Sequence, residues 1–221
     1  PNGAGKTTTI KMLVGLLRPT LGTMRICGFD IVQQTERAHQ LIGFVPDEPY
    51  LYDKLTGREF LWFVGEVHGL PRQRIAEQIE EQIRRFELNE FIDELAENYS
   101  HGMKQRVAFA AALLHDPPVV IVDEPMVGLD PRSAKLVKNL LKELARAGKS
   151  VLMSTHSLSV AEQIADRIGI IELGKLHFVG TLAALRTMLG SEELSLEDLY
   201  LRFISERPHE RLAATAAVEG A

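Results

Sequence analysis

The sequence predicts an α/β fold that contains an all-helical insert. Two observations support this prediction. Short apolar runs rich in β-branched residues, which are typical of buried strands, alternate with segments that have helical periodicity. Between residues 47 and 115 the strand pattern stops and helix formers dominate. Because strands and helices alternate on both sides of this stretch, we expect a helical insert within an α/β chain.

The part before the insert is predicted to hold one helix and two strands. Apolar residues at helical spacing predict the helix over residues 6–17, and residues 18–22 break it. Alternation of apolar and polar residues predicts a strand over residues 23–27. The apolar run at residues 41–45, which Pro46 ends, predicts a second strand.

The insert is predicted to hold three helices. Thr56 and Glu59 have the spacing of a capping box before an apolar segment, so a helix is expected to follow Thr56. A second helix is expected to start at Pro71, and its apolar residues recur every three or four positions, at Ile75, Ile79, Ile83 and Phe86. Residues 103–114 form an apolar run that predicts the third helix.

After the insert, strands and helices are predicted to alternate again. Asp130 and Pro131 are the residue types of an N-cap and a first helical position, and Gly148 lies where that helix should end. The predicted elements are strands over residues 118–122 and 151–154, a helix over 131–146, and a hairpin formed by 167–173 and 176–179. The tail from about residue 208 is rich in alanine and is expected to fray.

Composition and charge exclude several classes of protein. The 221 residues are 45% hydrophobic and 25% charged, a globular balance that excludes a mainly disordered or collagen-like chain. The formal net charge is −5, whereas a dedicated nucleic-acid binder usually has a positive excess, so no nucleic-acid partner is expected. Cys27 is the only cysteine, which excludes an intrachain disulfide and fits a reducing compartment.

The sequence shows no segment with the length and hydrophobicity of a membrane span. Its longest unbroken apolar run, at residues 107–114, has eight residues, against the roughly 18 that a spanning helix needs. The chain starts without methionine and in the middle of a motif. We therefore expect it to be a fragment that lacks its natural N-terminus.

The strongest local signal is the glycine-rich segment at residues 1–8, here called the phosphate loop. Gly3 and Gly5 let the backbone bend tightly and turn N–H groups toward an anion, and the helix that follows adds partial positive charge. Lys6 supplies a cation for the β- and γ-phosphates, and Thr7 supplies a hydroxyl for Mg²⁺. These residues match the end of the pattern G-x-x-x-x-G-K-[ST], whose first glycine would precede the first residue. The alternative is a glycine-rich turn that only opens a helix.

The second signal is the predicted strand that ends in Asp123 and Glu124. In α/β proteins, ligands bind at the carboxyl ends of the strands. Asp123 is therefore a candidate to hold Mg²⁺ through water, and Glu124 is a candidate to accept a proton from an attacking water. Taken alone, the pair is also compatible with a strand that ends in an acidic turn.

Two further signals are weaker. Ser100 and Gly102 lie at the start of a predicted helix, where exposed N–H groups attract an anion. The alternative there is an ordinary serine N-cap. His156 lies just beyond a predicted strand, where it is either catalytic or only a satisfied polar residue.

In this order, and with a helical insert after the first of them, these features resemble the ATP-binding subunit of ABC transporters over nearly the whole chain. The motifs are the Walker A loop at residues 1–8, the Q-loop position at 44–47, the signature at 99–105, Walker B at 119–124, the D-loop at 128–130 and the switch histidine, His156. Residues 41–61 and 99–106 are most similar to bacterial ABC-2-type exporters.

The resemblance implies a P-loop NTPase core with an inserted helical subdomain. Such a core has a RecA-like, mainly parallel sheet with flanking helices and a small antiparallel β part. The implied division assigns residues 1–46 to the first part of the core, 47–115 to the helical subdomain, 116–190 to the rest of the core, and 191–221 to a C-terminal helix and tail.

The resemblance also implies a mechanism in which two subunits sandwich two ATP molecules. Each ATP would lie on the phosphate loop of one subunit and against Ser100 and Gly102 of the other, and Asp130 would cross the dimer interface. Mg²⁺ would be held by Thr7, Asp123 and Asp47, and Glu124 and His156 would be catalytic. The residues implied to contact ATP are Asn2, Gly3, Ala4, Gly5, Lys6, Thr7 and Thr8.

Two protein partners are implied, a second nucleotide-binding subunit and an integral membrane permease, with a location on the cytoplasmic face of the membrane. Dimer closure would drive the permease through the helical insert and the Q-loop cleft. The alternatives are a soluble ABC-type ATPase of translation or DNA repair and a nucleotide-binding regulator without hydrolysis. A single copy of each motif and the lack of sustained heptads disfavour the first alternative, and Glu124 disfavours the second.

Two residues depart from the family pattern. Asp47 stands where the family has a glutamine, so the side chain is shorter and charged. His101 stands where the signature has a glycine, which adds bulk and a proton-dependent charge near the phosphate. Either substitution could slow turnover, and neither argues against ATP binding.

Overall fold

The computed structural model describes residues 1–191 and 193–205. The chain divides into two units, one formed by residues 7–154 and the other by residues 1–6 together with those from Thr155 onward. The predicted tail from about residue 208 lies outside the described residues. The predicted division at residues 46, 115 and 190 remains a prediction.

The described residues form nine α-helices and seven strands. In chain order these are α1 (Lys6–Leu13), β1 (Arg25–Ile26), β2 (Phe29–Asp30), α2 (Thr35–His39), β3 (Ile42–Val45), α3 (Gly57–Val67), α4 (Arg72–Arg85), α5 (His101–Leu113), β4 (Val119–Asp123), α6 (Pro131–Arg146), β5 (Ser150–Ser154), α7 (Leu158–Ile164), β6 (Ile168–Glu172), β7 (Lys175–Gly180), α8 (Leu182–Met188) and α9 (Leu196–Ser205). None of these helices is long and apolar enough to cross a membrane.

A parallel three-stranded sheet, ordered β3-β4-β5, forms the centre of the 7–154 unit. Its register pairs Val45 with Val122 and Asp123 with Ser154. Because the three strands run in the same direction, their carboxyl ends meet at one edge of the sheet. This edge therefore collects Asp123, Ser154 and the residues that follow Val45.

Ile10 of α1 and Val14, the residue after the helix, share a buried cluster with Ile121 of β4 and so pack on this sheet. The prediction of a helix over residues 6–17 was wrong at its end, because α1 stops at Leu13. Gly15 has a left-handed backbone (φ 73°) and closes the last turn, as glycine commonly does beyond a helix end. The apolar residues beyond it that suggested helix are exposed.

The predicted strand over residues 23–27 is only two residues long. Strand β1 pairs antiparallel with β2 across a tight turn at Cys27 and Gly28, with Arg25 opposite Asp30. Both turn residues have positive φ, as the favoured hairpin turns require. The sequence did not predict the partner strand, because β2 has only two residues and too short an alternating pattern to recognise.

The helical insert was predicted correctly in its main features. Thr56 caps α3 in a capping box with Glu59, and α4 follows Pro71. The predicted apolar stripe is buried, with Ile75, Ile79, Ile83 and Phe86 all at most 2% exposed. Helix α5 begins two residues earlier than predicted, with Ser100 as its N-cap. The insert therefore has its own apolar core.

In the other unit, the predicted hairpin is confirmed as the antiparallel pair β6–β7. Helices α8 and α9 pack with this hairpin and with α7 around Leu185, Leu199 and Phe203. The sequence reasoning predicted a helix near the C-terminal end but missed α7 and α8. Both have seven residues, and two turns are too short for a clear helical period.

Candidate functional site

The phosphate loop has the backbone that its glycines predict. Gly3 and Gly5 have φ values of 74° and 103°, a region that side chains with a Cβ rarely adopt. The N–H group of Gly174 donates to the carbonyl of Ala4 at 2.9 Å, and a Cβ on Gly5 would lie 3.4 Å from Gly174 Cα. Glycine at position 5 is thus required by the dihedral angle, whereas the space beside it would admit a Cβ at van der Waals contact.

Lys6 is the first residue of α1, so its side chain starts where the loop meets the helix N-terminus. Its ammonium donates to the carbonyl of Pro1 at 2.9 Å, which folds the lysine back across the loop. Thr7 and Thr8 follow in the first turn, and no acidic residue stands there to offset the positive end of the helix dipole. The segment is therefore suited to an anion.

Strand β4 delivers Asp123 to the carboxyl edge of the sheet with only 1% of its surface exposed. A buried carboxylate needs a hydrogen-bond donor or a cation. The hydroxyl of Ser154, on the neighbouring strand β5, donates to Asp123 Oδ1. The same hydroxyl oxygen accepts from the N–H group of Glu124 at 3.0 Å. One serine thus holds both predicted acidic residues.

Glu124 has a left-handed backbone with φ of 46°. This conformation is strained for a residue with a side chain and persists only where surrounding contacts enforce it. Here the bond to Ser154 fixes the N–H group, and the carbonyl accepts from the N–H group of Val127 at 3.2 Å. Both bonds hold the predicted base in one backbone conformation at the strand end.

Ser154 is the residue of this edge that the sequence reasoning missed. It was predicted only as the end of a strand, although it is buried and bonded to both acidic residues. A serine two residues before His156 was the available signal. Its meaning depends on the register that pairs Asp123 with Ser154, and register was not deducible from the pattern of either strand.

Asp47 lies two residues beyond the end of β3 and is exposed. Since β3 runs parallel to β4, Asp47 follows a strand end at the same edge of the sheet as Asp123. Carboxylate and hydroxyl oxygens are the ligand types that Mg²⁺ prefers. The donor set of Thr7, Asp123 and Asp47 therefore fits a magnesium ion in its chemistry. Among residues 1–191 and 193–205, no cluster of three or more His, Cys, Asp or Glu side chains forms a metal site by itself.

The predicted signature lies at the N-terminus of α5. Ser100 Oγ accepts from the N–H group of Met103 at 3.3 Å, and Met103 Sδ accepts from the N–H group of Ser100 at 3.4 Å. Ser100 is exposed, and a Cβ on Gly102 would have no neighbour closer than 4.0 Å, at Leu129. The structure thus confirms the serine N-cap and leaves the surface at Gly102 open.

Asp130, predicted as a helix cap and as a dimer-interface residue, caps α6. Its Oδ1 accepts from the N–H groups of Arg132 and Ser133 at 2.9 and 3.1 Å. The Ser133 hydroxyl donates to its other oxygen and is the main cause of the lowered pKa of the Asp130 carboxyl. The interface role of Asp130 remains a prediction.

His156 belongs to the other unit and lies exposed beyond the end of β5. The turn that carries it is held by the N–H group of Ser157, which donates to Thr155 Oγ1 at 3.0 Å. Its catalytic role remains a prediction.

Comparison with known proteins identifies the family to which the chain is similar. A protein-family model described as "ABC transporter" matches residues 1–127. The chain is 39% identical to the daunorubicin/doxorubicin resistance ATP-binding protein DrrA of Streptomyces peucetius, over 94% of this chain. The match covers 63% of DrrA, so the chain spans less than two thirds of that relative.

Solved structures give the same result for the fold. An ATP-binding subunit of an ABC transporter superimposes with a TM-score of 0.85 and 34% identity, over 91% of this chain and 84% of that one. A dimeric ATP-binding cassette with bound ADP and Pi superimposes with a TM-score of 0.74 and 26% identity, over 82% of each chain. The predicted fold class, a P-loop NTPase core with an inserted helical part, is confirmed.

Proposed function

The chain belongs to the ABC transporter family as an ATP-binding subunit, and from this premise we propose that it hydrolyses ATP to drive a membrane exporter. The observation that carries the proposal is the edge at Asp123, Glu124 and Ser154. There a buried carboxylate and a strained glutamate are held at the end of a parallel strand, which is where α/β folds place their chemistry.

The triphosphate is proposed to lie on the phosphate loop. Asn2, Ala4 and Thr8 would contribute backbone or hydroxyl contacts, and Lys6 would neutralise the β- and γ-phosphates. ATP would displace the Pro1 carbonyl from the Lys6 ammonium, since a phosphate oxygen is the stronger partner for a cation. The loop glycines would let the N–H groups of residues 3–5 turn to the phosphate oxygens.

Glu124 is proposed as the general base. It would accept a proton from a water that attacks the γ-phosphorus, while the bond from that phosphorus to the β–γ bridging oxygen breaks and ADP leaves with the electron pair. The left-handed backbone fixes the direction in which the Glu124 side chain leaves the strand end. A positioned base of this kind is worth about 10²–10⁴ in rate. His156 is proposed to contact the γ-phosphate.

Magnesium is proposed to be held by the hydroxyl of Thr7 and the carboxylates of Asp123 and Asp47. When bound, it would supply charge neutralisation to the phosphates. The Ser154 hydroxyl occupies one oxygen of Asp123 and thereby orients the carboxylate. In this role Ser154 supports a ligand rather than acting as one.

Pairing with a second copy is proposed to complete the site. The exposed Ser100 and the open surface at Gly102 would face the γ-phosphate that the second copy holds. The dimeric cassette found among the similar structures supports this arrangement. Asp130 would lie at the interface.

A membrane subunit is proposed to dock on the 7–154 unit, at the cytoplasmic face of the membrane. An apolar groove of about 420 Å³ lies between the insert and the sheet, next to the predicted Q-loop. It is lined by residues of both parts, among them Phe44, Pro46, Tyr50, Phe60 and Val64.

The resistance protein DrrA, which the chain resembles, supports export as the direction of transport. The family described by the matching model favours a transporter over a soluble factor of translation or repair.

Two variants of the full chain test the proposed function. In Glu124→Gln the shape is kept and the base is lost, so ATP should still bind while hydrolysis falls by about 10²–10⁴. An ATP-dependent dimer should then accumulate on gel filtration. In Lys6→Ala the cation is lost, so ATP binding itself should fail. Hydrolysis at the parental rate by Glu124→Gln, or unchanged ATP affinity in Lys6→Ala, would refute the assignment.

A further inference from the structure

The side chain of His101 turns away from the signature turn and lies against the loop that follows Glu124. Its Nε2 atom is 3.2 Å from the carbonyl oxygen of Val127. A carbonyl oxygen only accepts hydrogen bonds, so Nε2 carries a proton in this geometry. Although His101 replaces a glycine of the family pattern, its ring leaves the surface at Ser100 and Gly102 uncovered.

The loop that receives this ring is shaped to fit it. Gly128 has a left-handed backbone, with φ of 72°. A Cβ at this position would lie 3.1 Å from His101 Cδ2 and 3.3 Å from Nε2. The imidazole therefore packs on a glycine that the loop needs for its own backbone conformation.

The hydrogen bond from His101 to Val127 is the first of a series of hydrogen bonds that leads to Glu124, the predicted base. The N–H group of Val127 donates to the carbonyl of Glu124 at 3.2 Å. The Glu124 N–H group in turn donates to Ser154, which holds Asp123. Val127 is thus fixed on one side by the base and on the other by His101.

We propose that His101 is a positioning residue for Glu124 and acts through Val127. This inference rests on the proposed function, because it takes Glu124 as the base. Without the His101 bond, the loop of residues 125–129 loses a hydrogen bond to the signature turn, and the strained backbone of Glu124 loses part of what enforces it. The loss falls on the chemical step, since neither His101 nor Val127 belongs to the phosphate loop.

His101 also joins two ATP sites in the proposed dimer. The signature turn that carries it faces the nucleotide on the second copy, whereas Glu124 serves the nucleotide on its own copy. A nucleotide that binds against Ser100 and Gly102 would therefore, through His101, also fix the position of Glu124 at the other ATP site.

A pair of substitutions tests this inference in the full chain. The amide nitrogen of glutamine lies near the position of Nε2, and that of asparagine lies near the position of Nδ1. His101→Gln should therefore keep the bond to Val127 and stay within about threefold of the parental kcat, whereas His101→Asn should lose the bond and about tenfold in kcat. Neither change should alter the ATP concentration at half-maximal rate or equilibrium ATP binding. Because His101 is exposed, thermal unfolding should show both variants as stable as the parent.

The parent and Glu124→Gln separate this inference from the proposed function. A parent without ATPase activity, or a Glu124→Gln variant as active as the parent, overturns the proposed function and this inference with it. If both behave as proposed, equal kcat values for His101→Gln and His101→Asn overturn the inference alone. A loss of ATP affinity in His101→Asn without a loss of kcat does so as well, because it assigns His101 to binding.

Discussion

The helical insert and the carboxyl edge of the parallel sheet lie in the same unit, yet they follow opposite rules. In the insert the two strongest local patterns agree with the fold: a capping box opens α3, and the apolar stripe of α4 is buried. At the sheet edge, Asp123 is a buried carboxylate and Glu124 has a strained left-handed backbone. Departures from local rules tend to mark function. The difference therefore separates a part built for stability from a part built for chemistry.

Two hydroxyls show the contrast on a small scale. The Tyr99 hydroxyl donates to the Phe91 carbonyl at 2.8 Å and accepts from the Gly57 N–H group at 3.0 Å, so it ties the backbone of the insert together. The Ser154 hydroxyl bonds instead to the two acidic residues of the edge. Each hydroxyl satisfies buried polar groups, but only that of Ser154 touches groups with a proposed chemical role.

The largest expected effect is on the stability of the insert. Ile79→Ala should lower the free energy of unfolding by about 3 kcal/mol, because Ile79 is 2% exposed and its removal leaves a cavity. Hydrolysis per folded molecule should stay near the parental value at temperatures below unfolding. Denaturant unfolding and ATPase assays measure the two effects. The exposed Gln73→Ala on the same helix is the control and should change stability by less than about 0.5 kcal/mol. A stability loss in Gln73→Ala as large as in Ile79→Ala would remove the distinction.

Ser154→Ala should show the reverse pattern at the sheet edge. It leaves Asp123 and the Glu124 N–H group without their shared partner, so kcat should fall about 30-fold, equivalent to about 2 kcal/mol. The ATP concentration at half-maximal rate should change little. Ser154→Thr keeps the hydroxyl and is the matched control. If Ser154→Ala kept the parental kcat, the Ser154 hydroxyl would have no role in the chemistry of this edge.

Asp47→Ala tests whether the end of β3 belongs to the same chemical edge. The loss of one oxygen ligand should raise the Mg²⁺ concentration for half-maximal hydrolysis about tenfold and should reduce hydrolysis more than ATP binding. Asp47→Gln, which restores the residue type of the family pattern, should retain much of the activity. The measurement is a magnesium titration of the ATPase rate for the three proteins. Superimposable curves would leave Asp47 as a turn residue.

The smallest effect concerns His115 and pH. Burial lowers the pKa of His115 to about 4, and its ring stacks on His68 at 3.7 Å. Because the unfolded chain binds this proton near its ordinary pKa of about 6.5, stability is present above pH 6.5 and falls as the pH drops toward 4. With allowance for its partial exposure, the loss between pH 7 and pH 5 should be about 1 kcal/mol.

His115→Gln should flatten this pH dependence. Glutamine keeps a donor near Nε2, which lies 3.1 Å from the Ile42 carbonyl, but it does not titrate. Melting temperatures at pH 7 and pH 5 give the comparison, and the difference between them should shrink in the variant. An equal drop in both proteins would assign the acid sensitivity to other groups.

Strong local patterns predicted the parts of the fold that local physics controls. The stripe of α4, the cap of α6 by Asp130 and the β6–β7 hairpin were all predicted and are confirmed. The early end of α1 at Leu13 follows from Gly15, which has a left-handed backbone. The other errors fell on short elements, since β2 has two residues and α7 and α8 have seven each. Such short segments take their structure from the neighbours on which they pack.

By itself the sequence determined the chemical residue types and their order along the chain. Gly5, Lys6, Asp123 and Glu124 were identified from it, because phosphate binding and acid–base chemistry require particular groups next to helix starts and strand ends. Only the tertiary structure decided that Ser154 bonds to both acidic residues and that His101 contacts Val127. These contacts join residues 26 to 31 positions apart, and their geometry depends on strand register and loop conformation. No pattern within a single segment specifies either.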